Sequence, residues 1–119
     1  MSNGYHEEGL SAKTKDIHRA ITSLKEELEA VNWYNQRADV TEDQELQSVL
    51  EHNRNEEIEH AGMLLEYLRR NMPEFDEELA TYLFKTAPIT QLEELAEEGE
   101  TEGESESGED GSLGIGNLA

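Results

Sequence analysis

Residues 52–60 read HNRNEEIEH and contain a Glu-x-x-His pair, Glu57 with His60. On an α-helix these two side chains lie one turn apart on the same side, where both can bind one transition-metal ion. Four-helix bundles of the di-iron carboxylate type use two such pairs and two further glutamates. The stretch therefore predicts a metal-binding helix, and the rest of the site must be found elsewhere.

Two long amphipathic helices are predicted, joined by a short turn. In the first, from about Ser11 to Asp39, apolar residues recur at helical spacing, and Ser11 and Thr14 are candidate N-caps. In the second, which contains HNRNEEIEH, Thr41 and Gln44 have the spacing of a capping box. Two helices joined by a short turn form an antiparallel hairpin.

A third, shorter helix is predicted from Pro73, which ends the second helix, to about Lys85. The sequence thus predicts an all-α helical domain at 11–87, a hairpin plus a short C-terminal helix, after a flexible N-terminus at 1–10. A hairpin buries little core, so apolar side chains of a single copy would stay exposed and we expect the chain to oligomerise. The apolar residues expected to need a partner are Ile17, Leu24, Val31, Leu50 and Leu64.

The charge balance limits the classes of ligand. The 119 residues include nine Lys and Arg against 29 Asp and Glu, a formal net charge of −20. This balance argues against nucleic-acid and anionic-membrane surfaces and is compatible with cations as ligands. Cysteine is absent, which excludes disulfides and thiolate metal sites. With no signal peptide and no membrane-length apolar run, a cytoplasmic protein is expected.

Positions on the helical wheel separate the unusual acids from the ordinary ones. Glu27, Glu57 and His60 fall within or beside the apolar stripes, whereas Glu26 and Glu29 face the opposite side. Buried carboxylates need a cation, a proton or a basic partner, and basic residues nearby are few. Two carboxylates and an imidazole suit Fe(II), with Mn(II) and Zn(II) as competitors. The alternative is that such acids form a solvated face without a metal.

Two aromatic residues accompany these acids. Tyr34 lies one heptad after Glu27 on the same face, so its hydroxyl can hydrogen-bond a metal ligand, although a core aromatic is an equally good interpretation. Trp33 lies away from the apolar stripe, which indicates a second contact surface or simple packing.

The C-terminal part of the chain differs in composition from the helical domain. Ten acids fall between Glu93 and Asp110 and no basic residue follows Lys85, so residues 88–111 are predicted to be an acidic disordered linker. A weak helical pattern extends to about Glu98. The last nine residues, GSLGIGNLA at 111–119, alternate apolar side chains with glycine and fit a short docking peptide on a tether, or a tail without function.

Three segments together resemble the encapsulated ferritins: EELEAVNWYNQR at 26–37, HNRNEEIEH at 52–60 and TYLF at 81–84. The resemblance implies a hairpin that dimerises into a ferritin-like four-helix bundle, with a di-iron ferroxidase centre at the dimer interface and a ring-shaped homodecamer. It implies Glu27, Glu57 and His60 as iron ligands and Glu26 and Glu29 as secondary carboxylates on the path of iron. Trp33 and Tyr34 match the aromatic pair beside the centre.

Residues 112–119 are also similar to the peptides that direct cargo into encapsulin shells. The matching positions are Leu113, Gly114, Ile115, Gly116 and Leu118. The resemblance thus implies an iron-storage cargo inside an encapsulin nanocompartment, with the shell protein as its partner and no nucleic acid or membrane.

The leading hypothesis is a ferroxidase whose second half-site comes from another copy of the chain. One chain supplies two glutamates and one histidine, and a twofold axis doubles them to the four and two of a di-iron centre. The alternatives are a metal-binding helical adaptor without catalysis and a purely structural helical oligomer.

Overall fold

The computed structural model describes residues 4–99, and all of the regular structure in this range is helical. The helices are α1 (Ala12–Val40), α2 (Gln44–Asn71), α3 (Pro73–Tyr82) and α4 (89–99). Strands are absent from the described range. The all-α prediction is therefore confirmed. The chain divides after Asn71 into two compact units.

Side-chain caps determine where the two long helices begin. The Ser11 hydroxyl accepts a hydrogen bond from the Thr14 N–H at 3.0 Å, so Ser11 is the N-cap of α1. The capping box predicted from Thr41 and Gln44 is wrong. Asp43 caps α2 instead, because its carboxylate accepts from two backbone N–H groups at 2.9 and 3.1 Å, where a negative charge also complements the helix dipole. Thr41 accepts from the Asp43 N–H and follows the last residue of α1.

The interface between α1 and α2 is built around small side chains. The buried residues of the two helices are Ala20 and Ala38 on α1 and Ala61 and Leu68 on α2. Because alanine extends no further than its Cβ, the two helices pack closely along these positions. The antiparallel hairpin predicted from the sequence is thus the arrangement in the first unit.

Two polar contacts fix the register of the hairpin near its turn. The Gln47 side-chain amide donates to the carbonyl oxygen of Ala38 at 2.9 Å. Further from the turn, the Arg54 guanidinium donates to the Asn35 side chain at 3.0 Å. Register matters here because a shift of one residue would turn the facing side chains of α2 away from α1.

Much of the hairpin's apolar surface stays uncovered in a single chain. Leu28 is 54% exposed and Met63 is 59% exposed. The other large apolar side chains with substantial exposure on these helices are Ile21, Trp33, Val40, Leu46, Val49, Ile58 and Tyr67. The five residues predicted to need a partner are half-buried, because packing of α1 on α2 already covers part of their surface. The exposed apolar area is of the kind that marks an interaction site.

The second unit begins at Met72 and contains α3 and α4. Helix α3 ends at Tyr82 rather than near Lys85, because the backbone of Leu83 is extended, with φ of −77° and ψ of 145°, and Phe84 follows with a left-handed φ of 60°. Helix α4 lies within the segment predicted as a disordered linker, and its Leu92 is buried. Burial and the negative charge of Glu93 raise the pKa of the Tyr82 phenol.

The N-terminal segment folds back on α1. The ring centroids of Tyr5 and His18 are 4.8 Å apart, so Tyr5 lies against α1. Gly4 has a φ of 84°, and a Cβ at this position would come within 3.1 Å of the His18 ring. Among residues 4–99, no helix combines the length and the apolar character needed to cross a membrane.

Candidate metal centre

Glu27, Glu57 and His60 come together at the middle of the hairpin. Glu27 is contributed by α1, and Glu57 and His60 come from adjacent turns of α2. His60 Nδ1 lies 3.3 Å from Glu27 Oε2 and 3.9 Å from Glu57 Oε1. One ligand atom from each side chain lies within 4.8 Å of the other two. The fold therefore brings together the three residues that the helical wheels single out.

The electrostatics of the cluster favour the arrival of a positive charge. A hydrogen bond with Glu27 raises the pKa of the Glu57 carboxyl, and partial burial and the charge of Glu27 raise it further, while His60 opposes the shift. Without a metal, the Glu57 carboxyl therefore holds its proton more readily than an isolated carboxyl does. A divalent cation bound between the two carboxylates would remove their repulsion.

The donor set fits a first-row divalent metal but is only half of a closed site. Two carboxylates and one imidazole are ligands that Fe(II), Mn(II) and Zn(II) accept. The side chains of Glu27 and Glu57 are 23% and 24% exposed, and that of His60 is 43% exposed. His60 is thus accessible at the surface of the single chain, where further ligands from another molecule can approach.

The two predicted secondary carboxylates lie apart from the cluster. Glu26 and Glu29 are exposed on α1, as the helical wheel predicts, and the cluster of ligand atoms does not include them. They flank Glu27 in sequence, so any role they have is at the surface outside the centre.

The aromatic pair has a partner that sequence reasoning missed. Trp33 is 49% exposed, and Tyr34 is half-buried. The guanidinium of Arg37 lies over both rings, 5.9 Å from the centroid of Trp33 and 5.7 Å from that of Tyr34. The signal in the sequence was the spacing, since position 37 follows 33 and 34 by four and three residues, the intervals at which helical side chains meet. The predicted targeting positions, from Leu113 to Leu118, lie outside the described residues.

The family profile described as EncFtn-like matches residues 4–86. A ferritin-like protein from Thermotoga maritima is 55% identical over 117 residues, which cover 97% of this chain and 97% of that protein. An encapsulated ferritin-like protein from Rhodospirillum rubrum is 52% identical over 128 residues, covering 98% of this chain and 89% of that protein.

A solved structure with a similar fold is protein ne0167 from Nitrosomonas europaea. It is 58% identical, has a TM-score of 0.70, and the match covers 72% of this chain and 97% of that one. The match extends over a stretch comparable to that of the family profile, so the similarity concerns the helical part of the molecule.

Proposed function

This chain belongs to the EncFtn-like family, and we propose that it is a ferroxidase, an enzyme that oxidises Fe(II) to Fe(III) with O2. The observation that carries the proposal is the convergence of Glu27, Glu57 and His60 within 4.8 Å at the middle of the hairpin. The names of the two relatives, ferritin-like and encapsulated ferritin-like, support iron over the other metals that the same ligands accept.

The centre is completed by a second copy of the chain. A di-iron carboxylate site needs four glutamates and two histidines, and one copy supplies two glutamates and one histidine. A twofold axis beside His60 doubles this set without further ligands, and the interface is then the same surface on both copies. Exposed apolar side chains on both helices of the hairpin, among them Leu28 and Met63, supply the surface that such an interface buries. Dimers of this kind assemble further into a ring-shaped decamer.

Each ligand has a distinct role at the shared centre. Glu27 lies on the helix opposite the Glu-x-x-His pair and would bind both irons of the centre, while Glu57 and His60 together would cap them. His60 would bind iron through Nδ1, the nitrogen that faces both carboxylates. Iron is the substrate: two Fe(II) ions would each give one electron to O2, which takes up two protons and leaves as hydrogen peroxide, and the carboxylates would balance the added positive charge of Fe(III). Glu26 and Glu29, exposed beside Glu27, form the path by which iron reaches or leaves the centre.

Oxidation at this centre feeds iron storage in a surrounding encapsulin shell. A hairpin dimer encloses no sealed volume for a mineral, so storage requires another container, and the Rhodospirillum rubrum relative is named an encapsulated protein. The targeting peptide at 112–119 attaches the enzyme to the shell by inserting Leu113, Ile115 and Leu118 into a groove of the shell protein.

The proposed activity is tested by stopped-flow mixing of the protein with Fe(II) in air-saturated buffer. We expect Fe(III) to form well above the protein-free rate, and Glu27→Ala to lower that rate to near background because the bridging carboxylate is lost. Glu42→Ala is the matched control, since Glu42 is an exposed acid in the turn after α1. Metal binding without acceleration of Fe(II) oxidation would identify the chain as a metal-binding adaptor instead.

Loading into the shell is tested separately by removing residues 112–119. We expect the truncated chain to oxidise Fe(II) at the full rate in solution and to be absent from a co-expressed encapsulin. The full-length chain, expressed alongside, provides the reference for loading. Normal loading of the truncated chain would disprove the targeting role of this peptide.

A further inference from the structure

The cationic side chain of Arg37 packs against two aromatic rings. Its guanidinium lies within 6 Å of the ring centroids of Trp33 and Tyr34, at distances of 5.9 and 5.7 Å. This is the range of a cation–π interaction. By contrast, Arg19 on the same helix pairs with the Asp16 carboxylate at 2.8 Å. Although the chain has 29 acidic residues, the guanidinium of Arg37 lies over two aromatic rings.

Helix geometry explains how one side chain reaches both rings. Side chains of an α-helix lean toward its N-terminus, so a residue covers its neighbours three and four positions earlier. Arg37 is in the last turn of α1, and its carbonyl oxygen accepts from the Thr41 N–H at 3.2 Å. The adjacent Asn35 and Ala38 are tied to α2 by the hydrogen bonds from Arg54 and Gln47. The backbone beneath the two rings is thus held independently of the Arg37 side chain.

The same geometry connects Tyr34 to the metal centre. Tyr34 follows Glu27 by seven residues, which is two turns or about 10.5 Å along the helix axis, on the same face. Its side chain leans back toward Glu27 and is half-buried, whereas Trp33 faces outward. Around the helix, Arg37 lies between Tyr34 and Trp33. It therefore contacts one ring on the Glu27 face and one ring at the surface.

We infer that Arg37 is a positioning residue of the metal centre, which holds the Tyr34 ring on the Glu27 face of α1 and couples it to Trp33. The inference rests on the proposed function. Arg37 touches neither iron nor its ligands; it restricts the rotamers of Tyr34, which follows Glu27 by two turns on the same face of α1, toward the hairpin turn. A cation–π contact at an exposed site changes the population of the held conformer by roughly two- to fivefold, and this sets the size of the effect.

The test compares Arg37→Gln and Arg37→Lys with Arg19→Gln, which removes one exposed positive charge from the same helix. Trp33 is the only tryptophan of the chain, so its fluorescence reports on the contact directly. In Arg37→Gln we expect lower Trp33 anisotropy, and a rate of Fe(II) oxidation at saturating iron that falls about two- to fivefold while the half-saturating Fe(II) concentration is unchanged. Arg37→Lys keeps the cation and should retain most of both properties.

Zn(II) titration followed by Trp33 emission supplies a readout that does not depend on catalysis. We expect Zn(II) to change the emission of the wild type and of Arg19→Gln, and to change that of Arg37→Gln much less. A wild type that fails to oxidise Fe(II) would reject the proposed function, and this titration would still decide the inference. Arg37→Gln that matches the wild type in fluorescence or in oxidation rate, or Arg19→Gln that shows the same losses, would overturn it.

Discussion

Glu57 and Glu66 lie on the same helix, nine residues apart, and their surroundings shift their pKa values in opposite directions. Glu66 accepts hydrogen bonds from Arg69 and Arg70 at 2.6 to 2.9 Å, and these lower the pKa of its carboxyl to about 2. Glu57 has a second carboxylate, Glu27, as its nearest polar neighbour, and its pKa is raised. The Glu66 carboxylate is thus paired with two arginine cations, whereas the Glu57 carboxylate has no such cation beside it among residues 4–99.

The difference shows which acids of this chain are available to a metal. With 29 acidic residues, the number of carboxylates says little about where a cation binds. What distinguishes the centre is a pair of carboxylates from two helices with an imidazole nitrogen beside them, the three ligand atoms lying within 4.8 Å of one another. Glu66 shows the usual alternative, in which arginines one turn away on the same helix satisfy the charge.

The largest expected contrast between the two carboxylates is in catalysis. Glu57→Ala should lower the rate of Fe(II) oxidation by about 100-fold or more, because each substitution removes a ligand from both halves of a twofold site. Glu66→Ala, which removes a carboxylate from the same helix, should keep the rate within about twofold of the wild type. Stopped-flow measurements at equal protein concentration compare the two variants. Equal losses would show that the helix, and not the ligand set, determines the rate.

A smaller contrast is expected in the stability of the metal-free protein. At neutral pH, Glu57→Gln should leave the melting temperature unchanged or raise it, because a neutral amide beside Glu27 removes the repulsion of two carboxylates. Glu66→Gln should lower it, although by only about 0.5–1 kcal/mol of unfolding free energy, because this ion pair is partly exposed and screened by water. Thermal unfolding with a metal chelator measures both.

The outcome that contradicts this part of the account is a destabilised Glu57→Gln in the absence of metal. It would mean that the cluster has enough internal hydrogen bonding to satisfy both carboxylates. On addition of Zn(II), only the wild type and Glu66→Gln should gain stability, because they keep the complete ligand set.

The smallest expected effect is on how the stability of the fold depends on pH. The folded-state pKa of Glu66, about 2, is below its ordinary value of 4.5, so the folded protein binds fewer protons at this group than the unfolded chain. The stabilisation that the ionised Glu66 carboxylate gives the folded state is fully present above pH 4.5. It is lost as the pH falls from there toward 2. The difference in stability between the wild type and Glu66→Gln should therefore shrink over this range, as unfolding in denaturant at a series of pH values can show. A difference that stays constant to pH 2.5 would exclude the arginine pairs as its cause.

The helices and the grouping of Glu27, Glu57 and His60 were predictable because they depend on periodicity. Glu27, Glu57 and His60 stand where apolar residues belong, and a fixed angle per residue is enough to show this. The caps were less predictable. Thr41 and Asp43 both have capping side chains, and the choice between them depends on which carboxylate or hydroxyl oxygen reaches the first turn of α2.

Features that depend on single backbone or side-chain conformations were missed. Helix α3 ends where Leu83 is extended and Phe84 takes a left-handed φ, a conformation uncommon for a side chain of that size, and nothing in the sequence around them indicates this. Helix α4 was foreseen only as a weak pattern, because acidic residues take four of its exposed positions and its apolar positions are few. The contact of Arg37 with two rings could not be predicted, because the sequence does not show whether an arginine packs on nearby rings or pairs with one of many acids.

The central claim is that Glu27, Glu57 and His60 are one half of a centre shared by two copies of the chain. Native mass spectrometry of the protein loaded anaerobically with Fe(II) tests it most directly, because it counts iron and chains in the same particle. The account predicts iron in species with an even number of chains, two irons for each pair, and none in the monomer. A monomer that carries iron and oxidises it when exposed to O2 would contradict the claim.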